Sequence, residues 1–203
     1  MTFHFTLDKK NKVDIDDLCQ RYLTILYQGV QRKSISPKNN VAEFYGEVLY
    51  PSVDKLLAEI QPSYTDVFVD YGSGLGQMVI QVFLKSQVKE AYGIELLPDL
   101  HQHAFKAAIQ LQQEIPEFYH EERKLKFLLG DFLEIKIPAT IAMVSSTCFN
   151  QSLLWDLGKI IENTPSIHTV LSLRPIKTLK RLSFKKTIRL ECSWDTTLCY
   201  VYK

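Results

Sequence analysis

Cysteine is sparse in this chain, and no two cysteines form a CxxC pair. The four present (Cys19, Cys148, Cys192 and Cys199) have no histidine at zinc-ligand spacing. A structural zinc site or a disulfide framework is therefore not what organises the fold, and no metal ligands are assigned. Reduced thiols packed as small apolar residues are expected at all four positions, in an intracellular, cytoplasmic protein; secretion as an effector stays open. Long apolar runs are also missing, so no membrane span is expected. The first ten residues contain neither a signal-peptide core nor a cleavage site. Charge of one sign is not in excess: 24 Lys and Arg face 23 Asp and Glu, for a net charge of +1. The chain as a whole has no strong electrostatic bias toward nucleic acid. Internal repeats and low-complexity tracts are absent.

What is present is enough apolar sequence for a core. The chain has 203 residues, 46% of them hydrophobic, which fits one α/β domain with an N-terminal extension. The extension is expected over residues 1–62. Within it, residues 13–30 read as a helix that opens on Asp14, Asp16 and Asp17 and stops at Gly29. Residues 31–40 read as a polar loop, and 51–60 as a helix with Pro51 in its first turn. From 63 to 203 the pattern alternates. Strands are expected at 66–70, 90–94, 125–129, 140–145 and 168–173, with helices at 76–87, 98–115 and 150–162 between them. Strands at 186–192 and 196–202 close the chain. This is the signature of an α/β, Rossmann-like, doubly wound and mostly parallel seven-stranded sheet with an antiparallel final strand, whose ligands lie at the carboxyl ends of the strands.

Those ends carry the informative residues. The first strand runs into Asp70 and then Gly72, Gly74 and Gly76 at every second position, with a helix starting at Gln77. Such a turn lets a ligand approach the backbone closely. The dinucleotide fingerprint is GxGxxG, whereas this chain has GxGxG preceded by an acid. That arrangement resembles the first motif of class I S-adenosylmethionine-dependent methyltransferases. Glu95 ends the second strand, and Asp131 with Phe132 ends the third. A carboxylate at Glu95 suits a ribose diol, of this cofactor or equally of a nicotinamide one. Asp131 suits the adenine amino group and Phe132 its ring, although Asp70 could be only a turn former and Phe132 only core. Gly72 and Gly74 would open the backbone to the methionine tail.

A more specific resemblance rests on further motifs. Phe44-Tyr45-Gly46-Glu47, the run from Phe68 to Gln77, Tyr92-Gly93-Ile94-Glu95, Gly130-Asp131-Phe132-Leu133, Ser193-Trp194 and Tyr200-Val201-Tyr202 together resemble the disruptor-of-telomeric-silencing (DOT) lysine methyltransferases and their shorter relatives over roughly residues 41–203. The resemblance implies that Tyr45, Glu47 and Val48 close over S-adenosylmethionine. It also implies that Asp70, Gly72, Gln77, Glu95, Asp131 and Phe132 contact the cofactor, and that the substrate is a protein lysine. One departure is Ser145-Ser146-Thr147-Cys148-Phe149, where the histone enzymes carry an amide pair. A second is the absence of a long basic tail, which points away from a nucleosome.

A lysine acceptor must lose its proton, and an apolar channel lowers its pKa by desolvating the ammonium. Phe149, Tyr200 and Tyr202 are candidates for that wall, with ordinary core packing as the alternative. Ser145, Ser146 and Thr147 are candidates beside the methyl group; Ser146 and Thr147 could accept a bond from the amine or instead cap the helix that follows. Residues 174–189 hold Arg174, Lys177, Lys180, Arg181, Lys185, Lys186 and Arg189 with no acid among them. They read as a solvated hairpin or as a rim for an acidic macromolecule.

Overall fold

A computed structural model describes residues 14–30 and 46–203. Helix α1 (Ile15–Leu26) starts where the Asp14 carboxylate accepts the Asp16 N–H at 2.8 Å, with Asp16 and Asp17 in the first turn complementing the helix dipole. Helix α2 (Tyr50–Ile60) has proline in its first turn and ends on Gln61 in the left-handed region. Strands β1 (Val67–Tyr71), β2 (Glu90–Glu95), β3 (Lys124–Leu129), β4 (Ile141–Val144) and β5 (Thr169–Ser172) are joined by helices α3 (Gln77–Lys85), α4 (Pro98–Glu114) and α5 (Gln151–Glu162). Strands β6 (Phe184–Glu191) and β7 (Thr196–Tyr202) follow. A 3-10 segment, Pro116–Glu122, lies between α4 and β3; periodicity alone did not foretell it.

The seven strands lie in the order β3-β2-β1-β4-β5-β7-β6. Strands β1 to β5 pair in parallel, while β7 inserts between β5 and β6 and runs antiparallel to both. The expected mostly parallel, doubly wound sheet is the one observed. The connection order reverses between β1 and β4, so the crevice at their carboxyl ends is where this architecture places a ligand.

Two cores flank the sheet. Phe68, Ile80, Phe83, Leu111, Phe127 and Met143 build one beneath α3 and α4. Val69, Tyr71, Leu154, Leu157, Ile161 and Val170 build the other beneath α5. The N-terminal helices share the first core: Cys19 and Tyr27 of the α1 region pack in the same cluster as Val53 and Leu56 of α2. Lys85 of α3 fastens them, forming ion pairs with Asp16 and, at 2.6 Å, with Asp54. Among the described residues no helix is long and apolar enough to cross a membrane, and no cluster of three or more metal-ligating side chains is found. Three of the cysteines are buried as expected, but Cys148 is only half-buried.

The foot of the sheet, opposite the crevice, is tied together by Asp66. Its carboxylate accepts the Ser63 N–H at 2.7 Å, the Ser63 hydroxyl at 2.8 Å and the Thr140 hydroxyl at 2.7 Å, and lies 3.1 Å from His168 Nε2. Burial opposes its ionisation, yet these bonds outweigh burial and hold the carboxyl below its usual range. A depressed carboxyl contributes stability above its unfolded pKa, near ~3.9, and loses it as pH falls through the folded-state value. Asp66→Asn should therefore cost about 1–3 kcal/mol in urea unfolding near neutral pH. The gap to the native chain should narrow as pH falls below ~4; a gap independent of pH would contradict this assignment.

Candidate functional site

The glycine turn is held to β2 by its own amides. The Gly72 and Ser73 N–H groups both donate to the Ile94 carbonyl, at 2.9 and 3.0 Å, and the Gly76 N–H closes the turn on the Ser73 carbonyl at 2.9 Å. Gly72, Gly74 and Gly76 have φ of +85°, +56° and +82°, the left-handed region where a side chain is strained. Gly76 is constrained twice over, because a Cβ there would stand 2.5 Å from the Phe127 ring.

Glu95 supports the same turn from the side. Its carboxylate accepts the Gly74 N–H at 2.8 Å and the Leu97 N–H at 2.9 Å. Burial pushes its carboxyl up, against the pull of these backbone donors. Asp70, next to last in β1, is 2% exposed, with the Ser145 hydroxyl at a long 3.5 Å. Burial first, then the neighbouring Glu95 charge, push the Asp70 carboxyl up to about 7, against the Ser145 hydroxyl.

These groups line one cleft at the carboxyl ends of β1, β2 and β4. Glu47, Asp70 and Glu95 face it, and none of the described residues lining it is a lysine, arginine or histidine. Asp70 and Glu95 are buried, and burying carboxylates is costly, so a cleft with no basic side chain in its described lining fits a positively charged ligand and disfavours a pyrophosphate. Apolar side chains make up much of its wall: Met78, Leu96, Leu97, Leu100, Phe132, Phe149, Leu153, Leu173 and Trp194. Phe132 lies edge-on to Tyr71 and 5.4 Å from Phe149, centroid to centroid.

The cleft is covered by a short segment that adds to the end of β6. Leu49 N–H donates to the Glu191 carbonyl at 2.9 Å, Ser193 N–H to the Glu47 carbonyl at 2.8 Å, and Glu47 N–H to the Ser193 hydroxyl at 3.0 Å. Val48 bridges Cys192. Gln77 Nε2 donates to Glu47 Oε1 at 2.7 Å, linking the cover to the first turn of α3. The Trp194 ring packs where a Gly46 side chain would be, 2.2 Å from a Cβ built there.

Of the residues expected from sequence, Glu47, Val48, Asp70, Gly72, Gly74, Gln77, Glu95, Phe132, Ser145 and Phe149 line this cleft. Tyr45 lies outside the described residues, as does the side chain of Thr147, whose backbone belongs to the 3-10 turn Ser146–Cys148. Asp131 is not among the lining residues; its Oδ1 accepts the Leu133 N–H at 2.8 Å, a local turn that draws the carboxylate to its own backbone. Ser146 is fully buried, 3.2 Å from the Ser172 hydroxyl, and so does not face an acceptor. Neither Ser146 nor Thr147 caps α5, since Asn150 does so through the Leu153 N–H at 2.8 Å.

Tyr200 lines a second concavity with Arg189, Thr196, Thr197 and Leu198, which adjoins the cleft through Leu173. Tyr202 is no channel wall: its hydroxyl accepts the Ile176 N–H at 3.0 Å inside the core under α5. Cys148, expected in the core, lines the cleft instead. Sequence reasoning also missed Leu96 and Leu97, whose signal was an apolar pair directly after a strand-end acid, and Gly46, whose partner Trp194 is remote in the chain. The basic segment is partly spent on structure. Arg174 donates to the Phe149 carbonyl, Arg181 to those of Ile161, Thr164 and Ile167, and Lys186 pairs with Glu59. Lys177, Lys180, Lys185 and Arg189 are exposed.

A family model described as histone methylation protein DOT1 matches residues 31–191. An H3 lysine-79 specific histone-lysine N-methyltransferase of Caenorhabditis elegans is 27% identical over 150 residues, covering 73% of this chain and 16% of that protein. One of Gibberella zeae is 27% identical over 186 residues, covering 81% of this chain and 36% of that protein. The chain thus spans well under half the length of these curated relatives. Among solved structures, an RNA methyltransferase from Salinibacter ruber in complex with S-adenosyl-L-homocysteine superposes with a TM-score of 0.52 at 25% identity, covering 76% of this chain and 89% of that one.

The buried acid makes a pH-dependent prediction. A carboxyl whose folded pKa is raised penalises folding increasingly as pH rises from ~3.9 toward the folded-state value. Asp70→Asn removes that penalty. The ligand-free variant should be the more stable protein at about pH 8, by about 2–4 kcal/mol, and lose its advantage near pH ~4. Thermal unfolding across pH checks this; a variant that melts lower at the alkaline end would contradict it.

Proposed function

This chain belongs to the histone methylation protein DOT1 family, and from that premise we propose that it is an S-adenosylmethionine-dependent methyltransferase acting on a lysine of a protein. The observation that carries the reading is the cleft itself: the buried Asp70 and Glu95 face it with no basic residue among its described lining. A sulfonium and an ammonium on one ligand match that demand, and a dinucleotide's pyrophosphate does not. Glu95 is the residue for the ribose diol, Phe132 for the adenine side, and the Gly72–Gly74 backbone with Asp70 for the amino-acid tail. Glu47, tied to Gln77 at 2.7 Å, covers them.

When bound, the cofactor supplies an electrophilic methyl group on a sulfur that leaves as a neutral sulfide. The protein's own contribution is alignment and exclusion of water. Phe149, Leu153, Leu173 and Trp194 are apolar lining residues that we assign to the acceptor end of the cleft. Desolvation there favours the neutral amine over the ammonium. Ser145 is the polar group at that end, and Tyr200 lies beyond Leu173 on the approach side.

The acceptor lies on an acidic protein surface outside the nucleosome. Of the seven cations in 174–189, Arg174, Arg181 and Lys186 are engaged within the protein, so Lys177, Lys180, Lys185 and Arg189 supply the attraction. Backbone charge neutralisation supplies most of the affinity for DNA, and the four exposed cations on this rim offer little of it. RNA is the second reading, favoured by the likeness to the Salinibacter ruber RNA methyltransferase. Sparse cysteines, with Cys19, Cys192 and Cys199 held as buried thiols, suit a reducing compartment, which supports activity in the cytoplasm.

Incubation with methyl-labelled cofactor and a cell lysate tests the proposal. The label should appear on lysine side chains by mass spectrometry. Gly74→Arg should reduce it by more than ~100-fold, because a side chain at a left-handed residue distorts the turn. Label confined to RNA would install the second reading, and no transfer with retained cofactor binding would reduce the protein to a cofactor binder.

A further inference from the structure

Helix α1 lies before the segment that the family model matches, residues 31–191, yet its last turn reaches the cofactor turn. Tyr27 caps α1 and is 7% exposed. Its hydroxyl donates to the Leu75 carbonyl at 2.6 Å, across 48 residues of sequence. Leu75 is fully buried between two left-handed glycines, Gly74 and Gly76. On the β2 side the turn is tethered through Gly72, Ser73 and Gly74; the Tyr27 bond is a tether from the opposite side.

We propose that Tyr27 is a positioning residue for the cofactor turn: its buried hydroxyl fixes the Leu75 carbonyl and so holds the Gly72–Gly76 backbone in its ligand-ready shape. Two physical arguments support this. Three glycines in five residues make the free turn entropically expensive to order. A turn ordered before the ligand arrives spares the ligand that cost. A buried carbonyl that loses its donor also pulls the turn toward conformations that would restore a partner. Burial and the nearby Glu47 charge push the Tyr27 phenol up, so it keeps the proton that it donates. Helix α1 is itself anchored at its far end, where Asp16 meets Lys85 and the Tyr50 hydroxyl, the latter at 2.8 Å.

The inference rests on the S-adenosylmethionine reading of the cleft. Titration of S-adenosylhomocysteine by calorimetry into the native chain, Tyr27→Phe and Asp16→Ala separates the two. Tyr27→Phe keeps the ring and deletes the hydroxyl. It should raise Kd about 5- to 30-fold. Asp16→Ala loosens α1 without touching the turn; it should lower the melting temperature and leave Kd within about twofold. The inference is overturned if Tyr27→Phe binds like the native chain, or if both variants weaken binding by the same factor. No binding by the native chain would instead remove the cofactor reading. Should Tyr27→Phe not fold, amide exchange decides: protection of the Leu75–Gln77 amides in the free native chain supports the tether, and exchange at unfolded rates there overturns it.

Discussion

The carbonyl of Ile94 receives two amides, those of Gly72 and Ser73, and the rest of the site depends on that junction. It binds the end of β1 to the end of β2 at the level where the parallel sheet opens. It also forces the chain into a left-handed turn that only glycine adopts without strain. From there the neighbouring groups follow. The Gly74 amide meets Glu95, which fixes that carboxylate at the cleft wall. Gly76 starts α3, whose first residue, Gln77, reaches Glu47 and holds the cover. Tyr27 closes the turn from the other side.

The same junction explains why the cleft is anionic. Asp70 and Glu95 end adjacent parallel strands, so their carboxylates converge where a helix N-terminus and open backbone amides would ordinarily suit an anion. Here the Gly74 amide is already occupied by Glu95. A group of opposite sign to the usual phosphate is thereby selected by a fold otherwise suited to dinucleotides. The neighbouring walls are hydrophobic, with Phe132 and Phe149 in contact. Acidic and apolar groups thus share one cleft.

Much of this was legible in the sequence, for reasons of range. Asp70, the three glycines and Glu95 announce themselves because strand, turn and helix signals are local and fall in register with one another. The sheet's parallel portion follows from the alternation of periods. Groups that depend on distant chain were hidden. Tyr27 and Leu75 are 48 residues apart, and Ser193 and Glu47 are 146 apart, beyond any periodicity. Asp131 and Ser146 have nearby partners that strand-end position does not reveal, the Leu133 amide and the Ser172 hydroxyl. Tyr200 and Tyr202 share a face of β7, and only the chain returning through Ile176 distinguishes them by covering the second.

The central claim is that the Asp70–Glu95 cleft receives a cationic sulfonium cofactor over the glycine turn. A crystal structure of the protein with S-adenosylhomocysteine tests it most directly. The ribose hydroxyls are expected on Glu95, the amino-acid tail over Gly72–Gly74 beside Asp70, and the sulfur directed toward Ser145 and Phe149. A ligand seated elsewhere on the protein, or held with its ribose away from Glu95, would contradict it.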